Sequence, residues 1–242
     1  MTAAGRLGLG VIGSGRVGTV LAAALAAAGH AVVGATAISE ESRDRLDALL
    51  PGVPILNTPL VIERSELVLL AVPDDELPQL VAGLAEVRAW MPGQLVVHTA
   101  PGLGIGVLAP ALAQGAIPLA IAPAMVFTGT SIDLVRLREV WAAVTAPAPV
   151  LPIGQALAVE MGAEPVVVAE QDRAAWGAAL ATAGALQDTI DAAVGILAGI
   201  GVDQPARVLG PLARSALERA LSTAGAASSD SFEPPAGGSA WR

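Results

Sequence analysis

The chain has 242 residues, enough for one large domain or for a domain with a small partner. Its net charge is −9, so nothing in the charge balance draws it to nucleic acid or to an anionic membrane. Cysteine, tyrosine and lysine are absent, which excludes disulfides, thiolate chemistry and cysteine metal sites. The apolar fraction is 54% but only 2% of residues are aromatic, so the core must be built from Ala, Val, Leu and Ile, which suit close-packed helices and buried parallel strands.

In chain order, LGLGVI (7–12) reads as a short buried strand and a glycine-rich loop follows it. A helix over 16–29 ends near Gly29, and HAVVGA (30–35) reads as a second strand, which completes a βαβ unit. Ser39 is placed to cap the next helix, with Glu40 and Glu41 in its first turn, where the helix dipole favours anions. That helix ends at Pro51-Gly52. Strands are predicted at 54–57, 67–72, 94–99 and 118–123, with helices near 75–90 and 104–114 between them. A strand at 141–146, a helix near 152–162 and a strand at 164–169 follow. Alternation of this kind implies an α/β fold of the Rossmann type: a doubly wound, mostly parallel sheet with helices on both faces.

Beyond residue 170 the strands stop. Residues 170–201 read as one long helix of small residues and 203–225 as another, kinked or broken at Pro211. The expected organisation is a dinucleotide-binding domain over 1–169, a small all-helical domain over 170–225 and a disordered tail over 226–242. Two helices bury little alone, so a homodimer through them is expected. Residues 89–132 carry no charge, but Pro92, Pro101, Pro110, Pro118 and Pro123 interrupt the run. A membrane span needs about 20 continuous apolar residues, so buried strands and turns are expected here instead. The opening MTAAGRLGLG lacks the charged start and long apolar run of a signal peptide, and a cytoplasmic protein is expected.

The loop GSGRVG carries Gly13, Gly15 and Gly18 between a strand and a helix, the context that gives this spacing meaning. Gly13 would permit the tight turn, Gly15 the close approach of a pyrophosphate and Gly18 the packing of helix on strand. Ser14, Arg16 and Val17 lie in the same loop, and the helix N-terminus would supply N–H groups and positive potential. NAD sites usually place an acid after the second strand, yet this chain has Gly34-Ala35-Thr36 there. Thr36, Ser39 and Arg43 could surround a 2′-phosphate instead, which favours NADP, with NAD possible. The alternative is that Ser39 only caps its helix and Arg43 is solvated, and Glu40 and Glu41 weigh against a phosphate. Val72, Pro73, Asp74 and Thr99 follow strands and should line the cofactor.

Taken together, GVIGSGRVGTVLAAALAAAGHAVVGA, ELVLLAVPDDEL (66–77), GQLVVHTAPG (93–102), APAMVFTGT (122–130) and ARVLGPLARSALERAL (206–221) resemble one family. It comprises bacterial Rossmann-like proteins with a C-terminal domain of unknown function, in the 6-phosphogluconate-dehydrogenase-like superfamily. Pyrroline-5-carboxylate reductases and imine reductases are more distantly similar. The resemblance implies an NAD(P)-dependent oxidoreductase without naming a substrate. The chain departs from the family pattern in several places. It has His98-Thr99-Ala100-Pro101 where the family has HTSG, and Ala122 where the family has a His. Its long helix reads ATAGALQDTI where His and Asn are usual, and its C-terminal domain is shorter than the family's.

A reductase needs a proton donor beside its hydride carrier. Without Lys or Tyr, the lysine acid–base of β-hydroxyacid dehydrogenases and the Tyr–Lys pair of short-chain dehydrogenases are unavailable. His30 precedes the second strand and should be remote from the chemistry, whereas His98 ends a strand at the ligand-binding edge. His98 is either catalytic or a hydrogen-bonded structural group. Asp188 is the second candidate donor; Gly184, Asp188 and Asp191 share one side of the helix, and Gly184 leaves room for a ligand. The arrangement is similar to the proton donor on the interdomain helix of imine reductases. The alternative is a solvated polar face. Met125 and Phe127 form either an apolar substrate wall or plain core. Two readings result: an NADPH-dependent reductase of a C=N or C=O bond in a small, mostly apolar substrate, or a dinucleotide-binding protein without redox turnover.

Overall fold

The structure is a computed structural model that describes residues 6–229. The first elements are β1 (Gly8–Ile12), α1 (Arg16–Ala27), β2 (Ala31–Ala35), α2 (Glu40–Leu49) and α3 (Thr58–Glu63). They are followed by β3 (Leu67–Leu70), α4 (Leu77–Glu86), β4 (Leu95–His98), α5 (Ala109–Leu112), β5 (Ile117–Pro123) and α6 (Ile132–Arg136). Then come β6 (Trp141–Thr145), α7 (Leu151–Glu160) and β7 (Glu164–Val167), and the helices α8 (Arg173–Gly184), α9 (Leu186–Gly199) and α10 (Pro205–Ser229).

The strands form one seven-stranded sheet in the order β2-β1-β3-β4-β5-β6-β7. All neighbours are parallel except β5 and β6, where Pro123 pairs with Ala142 and Ala120 with Thr145. The apolar runs explain the depth of burial. Leu67 and Leu69 of β3 join one core with α1, α2 and α7, while Val68 and Leu70 join the other with α3 and α4. Successive side chains on a strand face opposite sides, so a strand apolar at every position is covered twice. This is the doubly wound Rossmann-type fold that the alternation implies.

Several expected elements differ in detail. Residues 54–57 do not form a strand; they make a single bridge, Ala35 to Ile55. Asn57 ends the extended run because its side chain accepts the Leu60 N–H at 3.0 Å and starts α3. The helix expected over 104–114 is a 3-10 turn at 105–108 followed by α5, with Pro110 in the first turn of the latter. The single helix expected over 170–201 is divided at Ala185 into α8 and α9, directly after Gly184, a residue that weakens helices. Helix α10 runs through Pro211 without a break.

The chain divides into two compact units, Met1–Ala181 and Thr182–Arg242, so the boundary lies beyond the expected 169/170. The start of α8 stays with the first unit because Arg173 is hydrogen-bonded to Ala100, Leu103 and Ala143 there. In the second unit α9 and α10 pack on one another. Of the expected tail, residues 226–229 continue α10, and the remainder lies outside the described residues. No helix among the described residues is long and apolar enough to cross a membrane.

Candidate dinucleotide site

A cleft of about 950 Å³ opens at the carboxyl ends of β1, β2 and β3, where the strand order turns back on itself. Open α/β sheets bind ligands at this switch point. The glycine loop forms its floor. Gly13 has φ +97°, and a Cβ there would collide with the Ala71 carbonyl. A Cβ on Gly18 would collide with the Gly13 carbonyl, which is what lets α1 sit against the turn. At Gly15 a Cβ would meet nothing within 4 Å, so the backbone faces open space.

Thr36 fastens this loop. Its Oγ1 accepts the Gly13 N–H at 2.9 Å and its carbonyl accepts the Ser14 N–H at 3.1 Å. The Thr36 N–H in turn donates to the Val11 carbonyl at 2.9 Å. With Gly13 and Ser14 committed, the Gly15 N–H has no partner among the described residues. The buried Ser14 Oγ has none either. Arg16 and Val17 open α1, whose first-turn amides have no acceptor within the helix. A floor of free donors at a helix start, with no side chain over Gly15, fits the pyrophosphate of a dinucleotide.

On the β2 side of the cleft, Ser39 caps α2, its Oγ accepting the Ser42 N–H at 3.2 Å. The Ser42 hydroxyl donates back to the Ser39 carbonyl at 2.7 Å. Both serines line the cleft, and Ile38 stands 92% exposed on its lip. Arg43 is exposed on α2. Arg45, which sequence reasoning passed over, reaches the loop instead, its Nη1 lying 3.4 Å from the Ser14 carbonyl. Val72 and Pro73 line the cleft and Asp74 follows them. Partial desolvation, with the charge of Asp75 added, lifts the Asp74 carboxyl above its ordinary value, while Arg173 pulls it down. Thr99 is tied to β3, its N–H donating to the Leu70 carbonyl at 3.2 Å.

His98 is fully buried at the end of β4. Its Nε2 donates to the Gly104 carbonyl at 2.9 Å, and Nδ1 has no partner among the described residues. Burial lowers its pKa to about 4, only partly opposed by the Gly104 hydrogen bond, and Arg173 adds to the lowering. At neutral pH it is an uncharged ring with its one N–H committed to Gly104. His30 lies at the opposite end of the sheet, accepting the Leu7 N–H and facing Glu160 at 2.9 Å.

Two residues that hold the loop after β4 were not anticipated. Arg173, 1% exposed, donates to the carbonyls of Leu103 at 2.9 Å, Ala100 at 3.2 Å and Ala143 at 3.3 Å. Burial lowers its pKa to about 10, with Glu170 and Asp74 acting against the shift. Glu170 accepts the N–H groups of Ile105 at 2.7 Å and Gly106 at 2.9 Å. The available signal was a lone arginine heading a helix of small apolar residues.

Phe127 is buried in the core, the second of the two places expected for it, and Met125 is half-buried against the same core. Val126 between them is exposed. In the second unit, Asp188 and Gly184 are exposed. Asp191 accepts the Gln187 side-chain amide at 2.9 Å, whereas Asp188 has no hydrogen-bond partner among the described residues.

This fold and its glycine loop define a Rossmann-like α/β protein, in an arrangement used by nicotinamide-dependent oxidoreductases. The chain belongs to the Rossmann-like family, whose domain model matches residues 2–123, and a domain of unknown function (DUF2520) matches residues 140–229. No curated protein matches it significantly. Among solved structures it is similar to a protein from Bacteroides fragilis described as an NADP oxidoreductase (TM-score 0.71, 19% identity, 88% of this chain and 80% of that one). It is also similar to an imine reductase from a Pseudomonas species (TM-score 0.69, 16% identity, 94% and 79%). A third is a reductive aminase from Aspergillus terreus, solved with NADPH4, cyclohexanone and allyl amine (TM-score 0.64, 17% identity, 91% and 75%).

Proposed function

We propose that the protein is an NADPH-dependent reductase of a C=N or C=O bond in a small, mostly apolar substrate, working in the cytoplasm. The observation that carries this reading is the glycine cradle, with Gly13 and Ser14 tied to Thr36 and the Gly15 amide left for a ligand. The bound nicotinamide supplies the hydride. The chain's own part is to hold the pyrophosphate on the loop amides and to receive the adenosine end beside Ser39, Ser42 and Arg43. NADP is favoured over NAD because the cleft-lining residues after β2 include the hydroxyls of Ser39 and Ser42, although Glu40 and Glu41 beside them weigh against a 2′-phosphate. Asp188 is the proton donor in this reading, supported by its being the one carboxyl of α9 without a hydrogen-bond partner among the described residues.

The protein works as a homodimer through α9 and α10, a reading supported by the apolar side chains these helices leave exposed, Ile196, Leu212 and Leu221 among them. Sedimentation at micromolar concentration tests it, and a monomer would remove it. Titration with NADPH, NADH and their oxidised forms tests the cofactor, and no binding by any of them would sink the proposal. With substrate amines and carbonyls present, loss of the reduced-nicotinamide absorbance tests turnover. The Asp188→Asn variant should lower kcat at least about a hundredfold if the carboxyl is the general acid. A second reading, binding without redox turnover, is favoured by one feature: His98 and the loop after it are committed internally. Tight NADPH binding without hydride loss to any substrate would select it.

A further inference from the structure

The Gly15 N–H and the Ser14 carbonyl belong to one peptide unit. A trans peptide is planar, so its N–H and C=O point in opposite directions. Whatever holds the Ser14 carbonyl on one side of the loop therefore aims the Gly15 N–H to the other. The group that holds it is the Arg45 guanidinium, at 3.4 Å, brought from α2 across 31 positions of sequence.

Arg45 is itself braced. A Cβ built on Gly129, which has φ +80°, would stand 2.6 Å from Arg45 Nε and 2.8 Å from Arg16 Cγ. Only glycine lets that loop come so close. The loop is pinned by Asp133, a fully buried carboxylate. Its Oδ2 accepts the N–H groups of Thr128 at 2.7 Å and Gly129 at 2.8 Å, and its Oδ1 accepts the Thr128 hydroxyl at 3.0 Å. Charge-assisted bonds of this kind are the stronger ones. The chain of contacts thus runs from Asp133 through Gly129 to Arg45 and on to the peptide that faces the cleft.

We infer that Arg45 is a positioning residue for the dinucleotide: it orients the Ser14–Gly15 peptide so that the Gly15 N–H is presented to the pyrophosphate, with Gly129 and Asp133 keeping the guanidinium in place. The inference rests on the cofactor reading above for its ligand, but not for the geometry of the loop. Arg45 is not among the residues that line the cleft, so its effect on the ligand passes through this peptide.

The test compares wild type with Arg45→Met, Arg45→Lys and Gly129→Ala. In the free protein, the carbonyl-carbon resonance of Ser14 and the amide resonance of Gly15 report on this one peptide, and Thr36, Gly13 and the melting temperature serve as controls for the fold. Arg45→Met should shift both resonances and weaken NADPH on the order of tenfold, the loss of one charge-assisted contact. Arg45→Lys should recover part of each. Gly129→Ala should move the same resonances in the same direction by less. Unchanged Ser14 and Gly15 resonances in Arg45→Met overturn the inference, whatever happens to nucleotide affinity. If wild type binds neither NADPH nor NADP+, the cofactor reading fails, and the resonances alone then decide the role of Arg45.

Discussion

Two loops at the carboxyl edge of the same sheet are built on opposite plans. Among the described residues the Gly15 amide and the Ser14 hydroxyl of the loop after β1 have no partners, and Thr36 and Arg45 fix only what surrounds them. In the loop after β4, the carbonyls of Ala100, Leu103 and Gly104 and the amides of Ile105 and Gly106 are all taken by Arg173, His98 and Glu170. Buried polar groups have to be paired somewhere. A loop that pairs them internally is scaffold, and a loop that leaves donors open at a cleft is waiting for a ligand. The contrast separates two glycine-rich segments that composition alone would treat alike.

The largest expected effect lies in the scaffold loop. Replacing Arg173 with Met would strand three carbonyls and should lower the unfolding free energy by on the order of 3 kcal/mol or more, read by urea denaturation. A variant that melts like wild type would break the contrast. His98 gives a second handle. Its pKa is about 4 when folded and 6.5 by default, so between these values the unfolded chain binds a proton that the folded one refuses. Stability is therefore complete above about pH 6.5 and declines as pH falls towards 4, by roughly 3 kcal/mol in all. Urea melts at pH 7 and pH 5 should show this decline, and it should vanish in His98→Asn.

Matched glycine substitutions sharpen the comparison. Gly177 of α8 lies against the backbone of Gly102, so Gly177→Ala should cost about 1–3 kcal/mol through overpacking. Gly15 has φ −74° and open space beside it, so Gly15→Ala should change stability by no more than about 0.5 kcal/mol. The same Gly15→Ala protein should nevertheless bind NADPH more weakly in calorimetric titration, because its methyl occupies the approach to the loop. Equal damage to stability from both substitutions would remove the distinction.

What could be read in advance follows the range of each interaction. The glycine loop and β1–α1–β2 are contiguous, and the apolar runs of β3, β4 and β5 mark buried strands wherever they pair, so these were legible. The antiparallel turn to β6 was not, because an apolar run carries no direction. The Arg173 contacts span 30 to 73 positions and those of Glu170 span 64 and 65, distances over which no local pattern speaks. Arg45 was missed for Arg43 because their spacing on α2 sends only the later residue back to the loop. His98 was rightly placed at the strand end, but its complete enclosure depends on Gly104 folding over it.

The approach of Gly177 to Gly102 is backbone against backbone. No rotamer change can relieve such a contact, and no water can enter it. The first turns of α8 and the 100–104 segment must therefore separate together or not at all. In native-state hydrogen exchange they should behave as one cooperative unit, whose amides share a single opening energy despite lying some seventy residues apart in sequence.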